Sequence, residues 1–280
     1  MRLEHNMCIL FIYRNPNADA ESYRLILAAN RDESLKRPAL PAHYWKQYPT
    51  CLGGIDMEVG KEGGTWFAST TKGKAGVILN LTNQSGTTGT LKKGRGTLIN
   101  DYIISKDSAE SYLENLHREN QLTQCYNSYN LILIDLYTAD VHYLSSSLKS
   151  LGPQMCLNNI ILGFGNSEID CPYKKVEVGK GKFSNIVSGV KTCQQDNLIE
   201  NLLQLLKSKE RHLPDTELQK RSPKMFKDLS SIFVSIGDYG TRTHTILMVN
   251  GSNEITFVEE TLMPDFSWKR QLFHSSLNNN

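Results

Sequence analysis

Two apolar runs near the start of the chain, the second ending abruptly in charge, constrain the fold most. The first is Met7-Cys8-Ile9-Leu10-Phe11, and the second, Leu25-Ile26-Leu27-Ala28-Ala29, stops at Asn30-Arg31-Asp32-Glu33. The turn-rich residues 14–20 between them predict an antiparallel β-hairpin. Because a hairpin returns the end of its second strand to the start of its first, we expect the polar segment to lie beside Cys8.

Composition excludes several classes of protein. The 280 residues carry 31 basic and 29 acidic side chains, a net charge of +2, without a Lys/Arg block. We therefore expect no nucleic-acid partner and at most peripheral contact with a membrane. The apolar run at 8–13 is too short for a signal-peptide core or a transmembrane helix. These features predict a soluble, cytoplasmic chain that is not secreted.

Neither the cysteines nor the histidines form a metal-binding pattern. The six cysteines include no C-x-x-C pair, and the seven histidines are equally dispersed. We expect no disulfide framework, no metal site and no required cofactor. Most of these thiols are interpreted as small buried hydrophobic groups.

Periodicity predicts strands at both ends of the chain and helices in the middle, an order that fits a layered α+β domain. Surface loops are expected at 83–94 and 208–230. The predicted strands are 8–13, 23–29, 65–70, 74–81, 129–136, 140–144, 159–164, 231–236, 243–249 and 255–259. The predicted helices are 97–105, 108–118 and 197–207.

A set of short motifs, in register along nearly the whole chain, resembles one known family. The motifs after the Asn-Arg-Asp-Glu segment are Gly53-Gly54-Ile55-Asp56, 60–66, Gly94-Arg95-Gly96 and 239–243. They are similar to those of the Transport and Golgi organisation protein 2 family, which is also named for Asn-Arg-Asp-Glu. The resemblance implies the N-terminal-nucleophile hydrolase fold, a four-layer αββα sandwich of two stacked antiparallel sheets flanked by helices. It implies a single domain over 8–268, with 1–7 a leader or alternative start and 269–280 a polar tail.

The resemblance makes Cys8 the candidate nucleophile. In enzymes of this fold the nucleophile is the first residue of the mature chain, and its own α-amine serves as the base. Here Met7 and six further residues precede Cys8. Three alternatives remain: translation of the working protein starts at Met7, residues 1–7 are removed, or Cys8 is a buried cysteine that opens a core strand without catalysing anything.

The charged segment carries two interpretations. Asp32 is the residue that the resemblance to conjugated-bile-salt and penicillin V acylases pairs with the α-amine of Cys8. Arg31 could orient a carboxylate, and Asn30 and Arg31 are candidate ligand-binding residues. The alternative is a strand-end turn in which Asn30 and Asp32 satisfy backbone N–H groups and Arg31 pairs with Glu33.

Four more residues are site candidates. The acylase resemblance makes Asn80 and Asn166 active-site amides, Asn80 donating to the oxyanion, and Arg242 a late active-site arginine. Arg242 and Arg95 are also candidates for binding an anionic ligand. The alternatives are turn geometry for Asn166, a salt-bridged strand residue for Arg242 and a glycine-flanked turn for Arg95.

Three classes of function remain open: an amidase acting through Cys8, a ligand carrier without turnover, and a scaffold of the secretory pathway. The family resemblance favours a homeostasis protein that handles a small anionic or lipid-like ligand. Haem as a transported ligand and acyl-CoA or lipid are the expected partners, with consequences for secretion and the Golgi. The resemblance adds mitochondrial or Golgi association to the expected locations. A cysteine amidase that cleaves a linear acyl amide is the alternative.

Overall fold

The computed structural model describes residues 7–81, 92–123, 125–147, 150–157 and 160–278, so most of the loop predicted at 83–94 lies outside the described residues. The strands are β1 Ile9–Arg14, β2 Tyr23–Ser34, β3 Ala39–Tyr44, β4 Cys51–Asp56, β5 Phe67–Thr70, β6 Lys74–Asn80, β7 Tyr129–Asp135, β8 Val141–Ser145, β9 Gln154–Met155, β10 Ile161–Phe164, β11 Ser235–Ile236, β12 Tyr239–Asn250, β13 Glu254–Leu262 and β14 Trp268–Ser276. The helices are α1 Thr97–Ile104, α2 Ala109–Leu122, α3 Lys174–Val187, α4 Gln195–Leu206, α5 Thr216–Arg221 and α6 Phe226–Leu229, with a 3₁₀ turn at Thr192–Gln194.

The chain forms two compact units, each with its own antiparallel sheet. The first unit is Met1–Lys36 with Asn158–Ser276, and the second is Arg37–Leu157 with Leu277–Asn280. Every strand pairing within each sheet is antiparallel, and both units carry helices. The predicted α+β class with two antiparallel sheets is confirmed. The limits of a single domain at 8–268 stay a prediction.

The sheet of the first unit has the order β10-β1-β2-β12-β13-β14, with β11 paired to β12. Strands β1 and β2 form the predicted hairpin, with Ile9 opposite Asn30. The prediction that β2 ends at residue 29 was wrong, because the strand continues to Ser34. Its polar end pairs with β12, where Thr241 lies opposite Asp32. The charged segment is therefore part of a central strand and not a turn.

Helices α3 and α4 cover one face of this sheet. Strand residues such as Phe11, Ile26 and Ile246 form a buried cluster with Phe183 of α3 and Leu202 of α4. The rings of Phe11 and Phe183 stack with their centroids 5.6 Å apart. Successive strand residues point to opposite faces, so alternate positions of β1, β2 and β12 belong to this helix-covered face.

The second unit has the sheet order β3-β4-β5-β6-β7-β8-β9, with α1 and α2 packed on it. The predicted hairpin at 65–81 is confirmed as β5 and β6. Glycine is required in β4, because a Cβ on Gly53 would lie 2.6 Å from the carbonyl oxygen of Phe67. The glycine motif at 53–54 thus has a packing role in this sheet.

Several elements lack a clear sequence signal. Strands β3, β4 and β14 and helix α3 fall outside the predicted elements, and α5 and α6 lie in the predicted loop at 208–230. Residues 269–276, expected in a polar tail, belong with Trp268 to the edge strand β14, which pairs with β13. An edge strand leaves side chains in water, so it has no continuous apolar run. None of the helices in the described ranges has the length and apolar character needed to span a bilayer.

Candidate active site around Cys8

The thiol of Cys8 lies against the end of strand β2. Its Sγ accepts a hydrogen bond from the backbone N–H of Asp32 at 3.3 Å and contacts the Asp32 carbonyl oxygen at 3.7 Å. The predicted proximity of the thiol and the polar segment is therefore present in the first unit. Burial, and next the negative charge of Asp32, raise the pKa of the thiol to about 12. In a chain where Met7 precedes it, Cys8 is a neutral thiol at physiological pH.

The carboxylate of Asp32 is buried and only half satisfied. Its Oδ1 accepts a hydrogen bond from Thr241 Oγ1 at 2.7 Å, whereas no described residue hydrogen-bonds the buried Oδ2. Burial raises the pKa of Asp32 to about 7, although Lys175 and the Thr241 hydroxyl oppose this shift. A buried carboxylate oxygen without a donor costs free energy, so this atom is positioned for a group that can donate a hydrogen bond.

A buried lysine reaches this site from helix α3. The Nζ of Lys175 donates to the carbonyl oxygens of Met7 at 3.0 Å and of Ser231 at 3.1 Å. Burial lowers the pKa of Lys175, while the negative charge of Asp32 opposes this shift. A lysine this deep in a protein requires a compensating charge. Lys175 is therefore coupled electrostatically to Asp32, and it holds the carbonyl oxygen of Met7, the residue before Cys8.

Tyr239, at the start of β12, closes the same cluster. Burial, and then the negative charge of Asp32, raise its pKa well above the ordinary value. The phenol therefore remains protonated. Lys175 holds the carbonyl oxygen of Met7, whose side chain is buried.

Asn30 has a structural role in this arrangement. Its Nδ2 donates to the carbonyl oxygens of Leu206 at 2.8 Å and Ile232 at 3.0 Å, and its Oδ1 lies 2.7 Å from His244 Nδ1. These bonds tie β2 to the end of α4 and to the segment after α6. The alternative in which Asn30 satisfies loop N–H groups was wrong, because Asn30 lies within β2 and its Oδ1 faces His244 Nδ1. A ligand-binding role for Asn30 stays a prediction.

Two arginines lie at this end of the sheet. Arg31 is 8% exposed, and its nearest guanidinium nitrogen is 4.0 Å from a carboxylate oxygen of Glu33. Arg242 is 9% exposed and donates to the carbonyl oxygen of Ser34 at 3.0 Å. It is the extra residue of a β-bulge, because Thr241 pairs with Asp32 and Thr243 already pairs with Arg31. Such bulges redirect a side chain at the edge of a site.

Asn166 lies near the start of β1. Strand β10 pairs Phe164 with Leu10, and continuing this register by two residues leads to Asn166 and Cys8. The side chain of Asn166 is fully buried. The first unit thus gathers Cys8, the segment 30–32, Asn166 and Arg242 at one end of its sheet.

The other two candidates belong to the second unit. Asn80 is the last residue of β6, opposite Tyr129 of β7. Arg95 precedes α1 and donates to the carbonyl oxygen of Ser128 at 3.0 Å. Their roles as oxyanion donor and anion-binding residue stay predictions.

Sequence reasoning missed Lys175, Thr241, Tyr239 and His244. A signal existed for Lys175, since positions 175, 179, 183 and 187 recur every four residues and all are buried on α3. A lysine on the apolar stripe of a helix indicates a buried charge. Thr241 and Tyr239 belong to the predicted motif at 239–243, but their contacts depend on the bulge. Among the described residues, no group of three or more His, Cys, Asp or Glu side chains could hold a metal ion.

These features define a site on an antiparallel sheet of an α+β protein, with a half-buried thiol beside a buried carboxylate and a buried lysine. The family described as Transport and Golgi organisation 2 matches residues 7–264. The Transport and Golgi organization protein 2 of Drosophila melanogaster is 35% identical over 276 residues, which cover 94% of this chain and 96% of that protein. The Homo sapiens homolog is 34% identical over 97% of this chain and 99% of its own length.

The chain therefore belongs to the Transport and Golgi organisation 2 family, and the resemblance found in its motifs is confirmed. Among solved structures, a mutant of the conjugated bile acid hydrolase from Clostridium perfringens is similar with a TM-score of 0.43 and 9% identity. That similarity covers 97% of this chain and 92% of the hydrolase.

Proposed function

We propose that this chain is a cysteine hydrolase of linear acyl amides, active in a form whose N-terminal residue is Cys8. The observation that carries the proposal is the buried Oδ2 of Asp32, which no described residue hydrogen-bonds, on the residue whose backbone N–H binds the Cys8 thiol. Removal of Met7 would convert the amide nitrogen of Cys8 into an α-amine. That amine is a donor for Asp32 and a base for the thiol.

The charges of the site explain why the amine is needed. With Met7 attached, a thiol pKa of about 12 leaves roughly one molecule in 10⁵ ionised at pH 7. An α-ammonium beside Asp32 would add a positive charge next to both acidic groups, which lowers the pKa of each. The same atom would thus satisfy the carboxylate and activate the nucleophile.

The reaction uses these groups in sequence. The neutral α-amine takes the proton of the thiol, and the sulfur attacks the acyl carbonyl carbon. The carbon–nitrogen bond of the substrate breaks, and the leaving amine takes the proton from the α-ammonium. Water, deprotonated by the amine, then hydrolyses the thioester and releases the carboxylic acid. In this proposal Asp32 orients the amine, and Asn166 is the candidate donor to the oxyanion.

The test compares two forms of the protein. One is the 280-residue chain, in which Met7 precedes Cys8, and the other is a chain cleaved by a site-specific protease to begin at Cys8. N-acyl glycines and N-acyl anilides of increasing acyl length serve as substrates, with intact mass spectrometry to detect the acyl thioester. We expect turnover and a hydroxylamine-sensitive acyl adduct only in the form that begins at Cys8. In that form, Cys8→Ala should abolish both while leaving the unfolding transition nearly unchanged.

A second candidate, a carrier of an anionic ligand, is favoured by a different observation. Two buried guanidinium groups, those of Arg31 and Arg242, lie at the site. Guanidinium groups bind carboxylates and phosphates in bidentate geometry, which suits a haem propionate or the phosphates of an acyl-CoA. This proposal corresponds to haem trafficking or acyl-CoA and lipid homeostasis, with consequences for secretion and Golgi organisation.

Haem and acyl-CoA titrations distinguish the two candidates. A carrier should bind equally well in wild type and Cys8→Ala but more weakly in Arg242→Ala. Arg211→Ala is the matched control, since Arg211 pairs with Asp228 at the surface of the same unit. In a cell lacking the protein, Cys8→Ala should restore function if the chain is a carrier and should fail if it is a hydrolase.

Location is part of the same proposal. We propose a cytoplasmic protein, with the mitochondrion or the Golgi surface as alternatives that the family name and resemblance suggest. Fractionation of cells expressing the chain with a C-terminal tag would test this. Recovery in the culture medium would contradict it.

A further inference from the structure

Helix α3 places the side chain of a buried lysine close to the backbone nitrogen of Cys8. The Nζ of Lys175 is 3.0 Å from the carbonyl oxygen of Met7. That oxygen and the nitrogen of Cys8 are bonded to the same carbon, which fixes their separation at about 2.3 Å. The Nζ is therefore at most about 5.3 Å from the Cys8 nitrogen. In a chain that begins at Cys8, this nitrogen is the α-amine.

The charged and titratable groups around this nitrogen come from β2, α3, the segment before α5 and β12. They are Arg31, Asp32, Glu33, Lys175, His212, Asp215, Tyr239 and the Cys8 thiol.

Most of these groups are already compensated or neutral. Arg31 and Glu33 face each other at 4.0 Å, so their charges offset. Burial lowers the pKa of His212, which keeps its imidazole neutral, and Tyr239 stays protonated. The carboxylate of Asp215 accepts hydrogen bonds from backbone N–H groups at the starts of α3 and α5. The α-amine therefore responds mainly to the two remaining groups, one carboxylate and one lysine.

Cleavage before Cys8 changes the charge balance between these groups. The α-amine and the Nζ of Lys175 are then two basic nitrogens, and Asp32 is the carboxylate available to both. A buried charge without a partner is costly, so one carboxylate supports one cation. A lysine ordinarily holds its proton more tightly than an α-amine by about 2.5 pH units. A positive charge within about 4–6 Å also disfavours a second one. The α-amine is therefore the nitrogen that stays neutral.

We propose that Lys175 is a positioning residue of the hydrolase, whose ammonium compensates Asp32 and thereby keeps the α-amine of Cys8 in the unprotonated form that accepts the thiol proton. This role rests on the proposed function and acts through the amine. When the thiol gives its proton to the amine, the resulting thiolate and α-ammonium compensate each other. Lys175 and Asp32 can therefore stay paired during the reaction, and Lys175 keeps the carbonyl oxygen of Ser231, now at 3.1 Å, as an acceptor.

The protonation of the amine can be measured without turnover. The full chain is labelled with ¹⁵N-cysteine, cleaved to begin at Cys8 and followed by ¹⁵N NMR from pH 5 to pH 10. Of its six cysteine nitrogens, only that of Cys8 is then an amine, so its signal is distinct from the amides. We expect it to titrate at least about one pH unit below the ordinary range of about 7.7–8.0. Titration within or above that range would overturn the proposal.

Two variants should move this titration in opposite directions. Lys175→Met leaves Asp32 to hold an α-ammonium, so the amine should titrate at least about one pH unit higher. Asp32→Asn removes the carboxylate, so the amine should titrate lower than in wild type. Lys175→Arg keeps the cation and should titrate as wild type does. Lys174→Met is the matched control, because the Lys174 side chain pairs with Glu177 at the surface of the same helix.

A lysine with only a structural role would not produce these opposite shifts. An unchanged titration in folded Lys175→Met, or an equal shift in the Lys174→Met control, would overturn the proposal. If Lys175→Met does not fold, the wild-type titration and that of Asp32→Asn decide, and a higher titration in Asp32→Asn would overturn it.

Turnover of N-acyl glycines separates this role from the proposed function. The acid limb of the pH profile of kcat/KM reports the base of the free enzyme. The ratio of kcat/KM in Lys175→Met to that in wild type should therefore fall about tenfold between pH 9 and pH 6. Opposite titration shifts without turnover in any form would contradict the hydrolase. Turnover with the same acid limb in both proteins would contradict only the role of Lys175.

Discussion

The substitution Asp32→Asn should change how the stability of the chain depends on pH. Burial raises the pKa of Asp32 from 3.8 to about 7, so the folded chain holds this proton more tightly than the unfolded chain. Stability contributed by such a group is greatest below the unfolded pKa and is lost as the pH rises through the folded pKa. Within the range from pH 5 to pH 9, this stability is lost over about two pH units, from pH 5 up to the folded pKa of about 7. At roughly 1.4 kcal/mol per pH unit, the loss is about 3 kcal/mol.

The asparagine variant cannot release that proton. Thr241 can still donate to the remaining carbonyl oxygen, so the shape and one hydrogen bond are preserved. Lys175 loses its opposite charge, and its already lowered pKa should fall further. A base whose folded pKa is lowered makes the fold less stable at low pH and more stable at high pH. Both effects favour the variant as the pH rises.

Urea unfolding of the 280-residue chain and of its Asp32→Asn variant is followed by circular dichroism from pH 5 to pH 9. It measures how the difference in unfolding free energy between the two changes with pH. The unfolding free energy of Asp32→Asn relative to wild type should increase by about 3 kcal/mol or more across this range. Asp170→Asn is the control, because Asp170 is exposed and its curve should run parallel to wild type. Parallel curves for Asp32→Asn and wild type would refute a buried, proton-binding carboxyl at this site.

Other predictions concern the neighbours of this carboxyl. Lys175→Met should lower the unfolding free energy by about 3–5 kcal/mol at pH 8 in the same urea titration, because it leaves a buried carboxylate unpaired. Lys220 is exposed, so the control Lys220→Met should change the unfolding free energy by less than about 0.5 kcal/mol. Asn30→Ala should cost about 2–4 kcal/mol, since two carbonyl oxygens lose their donors; a value near zero would contradict the contacts described. With Met7 attached, Cys8 should react with iodoacetamide far more slowly than exposed Cys171 at pH 8, as measured by peptide mass spectrometry.

Sequence reasoning succeeded where the contact was local. The β1–β2 hairpin required only two apolar runs and a turn, and it brought Asp32 to Cys8 correctly. Sequence reasoning failed for contacts between residues that are far apart in the sequence, because these contacts depend on how distant strands and helices align. Lys175 meets Met7 across 168 positions, and Thr241 meets Asp32 across 209. No local pattern encodes such a pairing, and a single bulge residue changes which side chain faces the carboxyl.

The absence of a local signal for long-range contacts also explains why the sequence predicts that β2 ends before its charged segment. An apolar run that ends in Asn-Arg-Asp-Glu indicates the end of a strand, because buried charges are costly without partners. Here the partners come from β12, from α3 and from the end of α4, so the strand can continue through the charges. The side-chain amide of Asn30 hydrogen-bonds two carbonyl oxygens and His244. The motif thus combines a structural amide with a buried carboxylate.

The state of Met7 connects these observations. Lys175 binds the carbonyl oxygen of Met7, so the residue before Cys8 is tied to the charged groups of the site. With Met7 present, the cluster has a neutral thiol and a carboxyl oxygen that no described residue hydrogen-bonds. With Met7 removed, an α-ammonium would add one positive charge beside Asp32 and leave Lys175 free of one of its two carbonyl partners. The same polar groups therefore suit a latent site before that cleavage and an activated thiol after it.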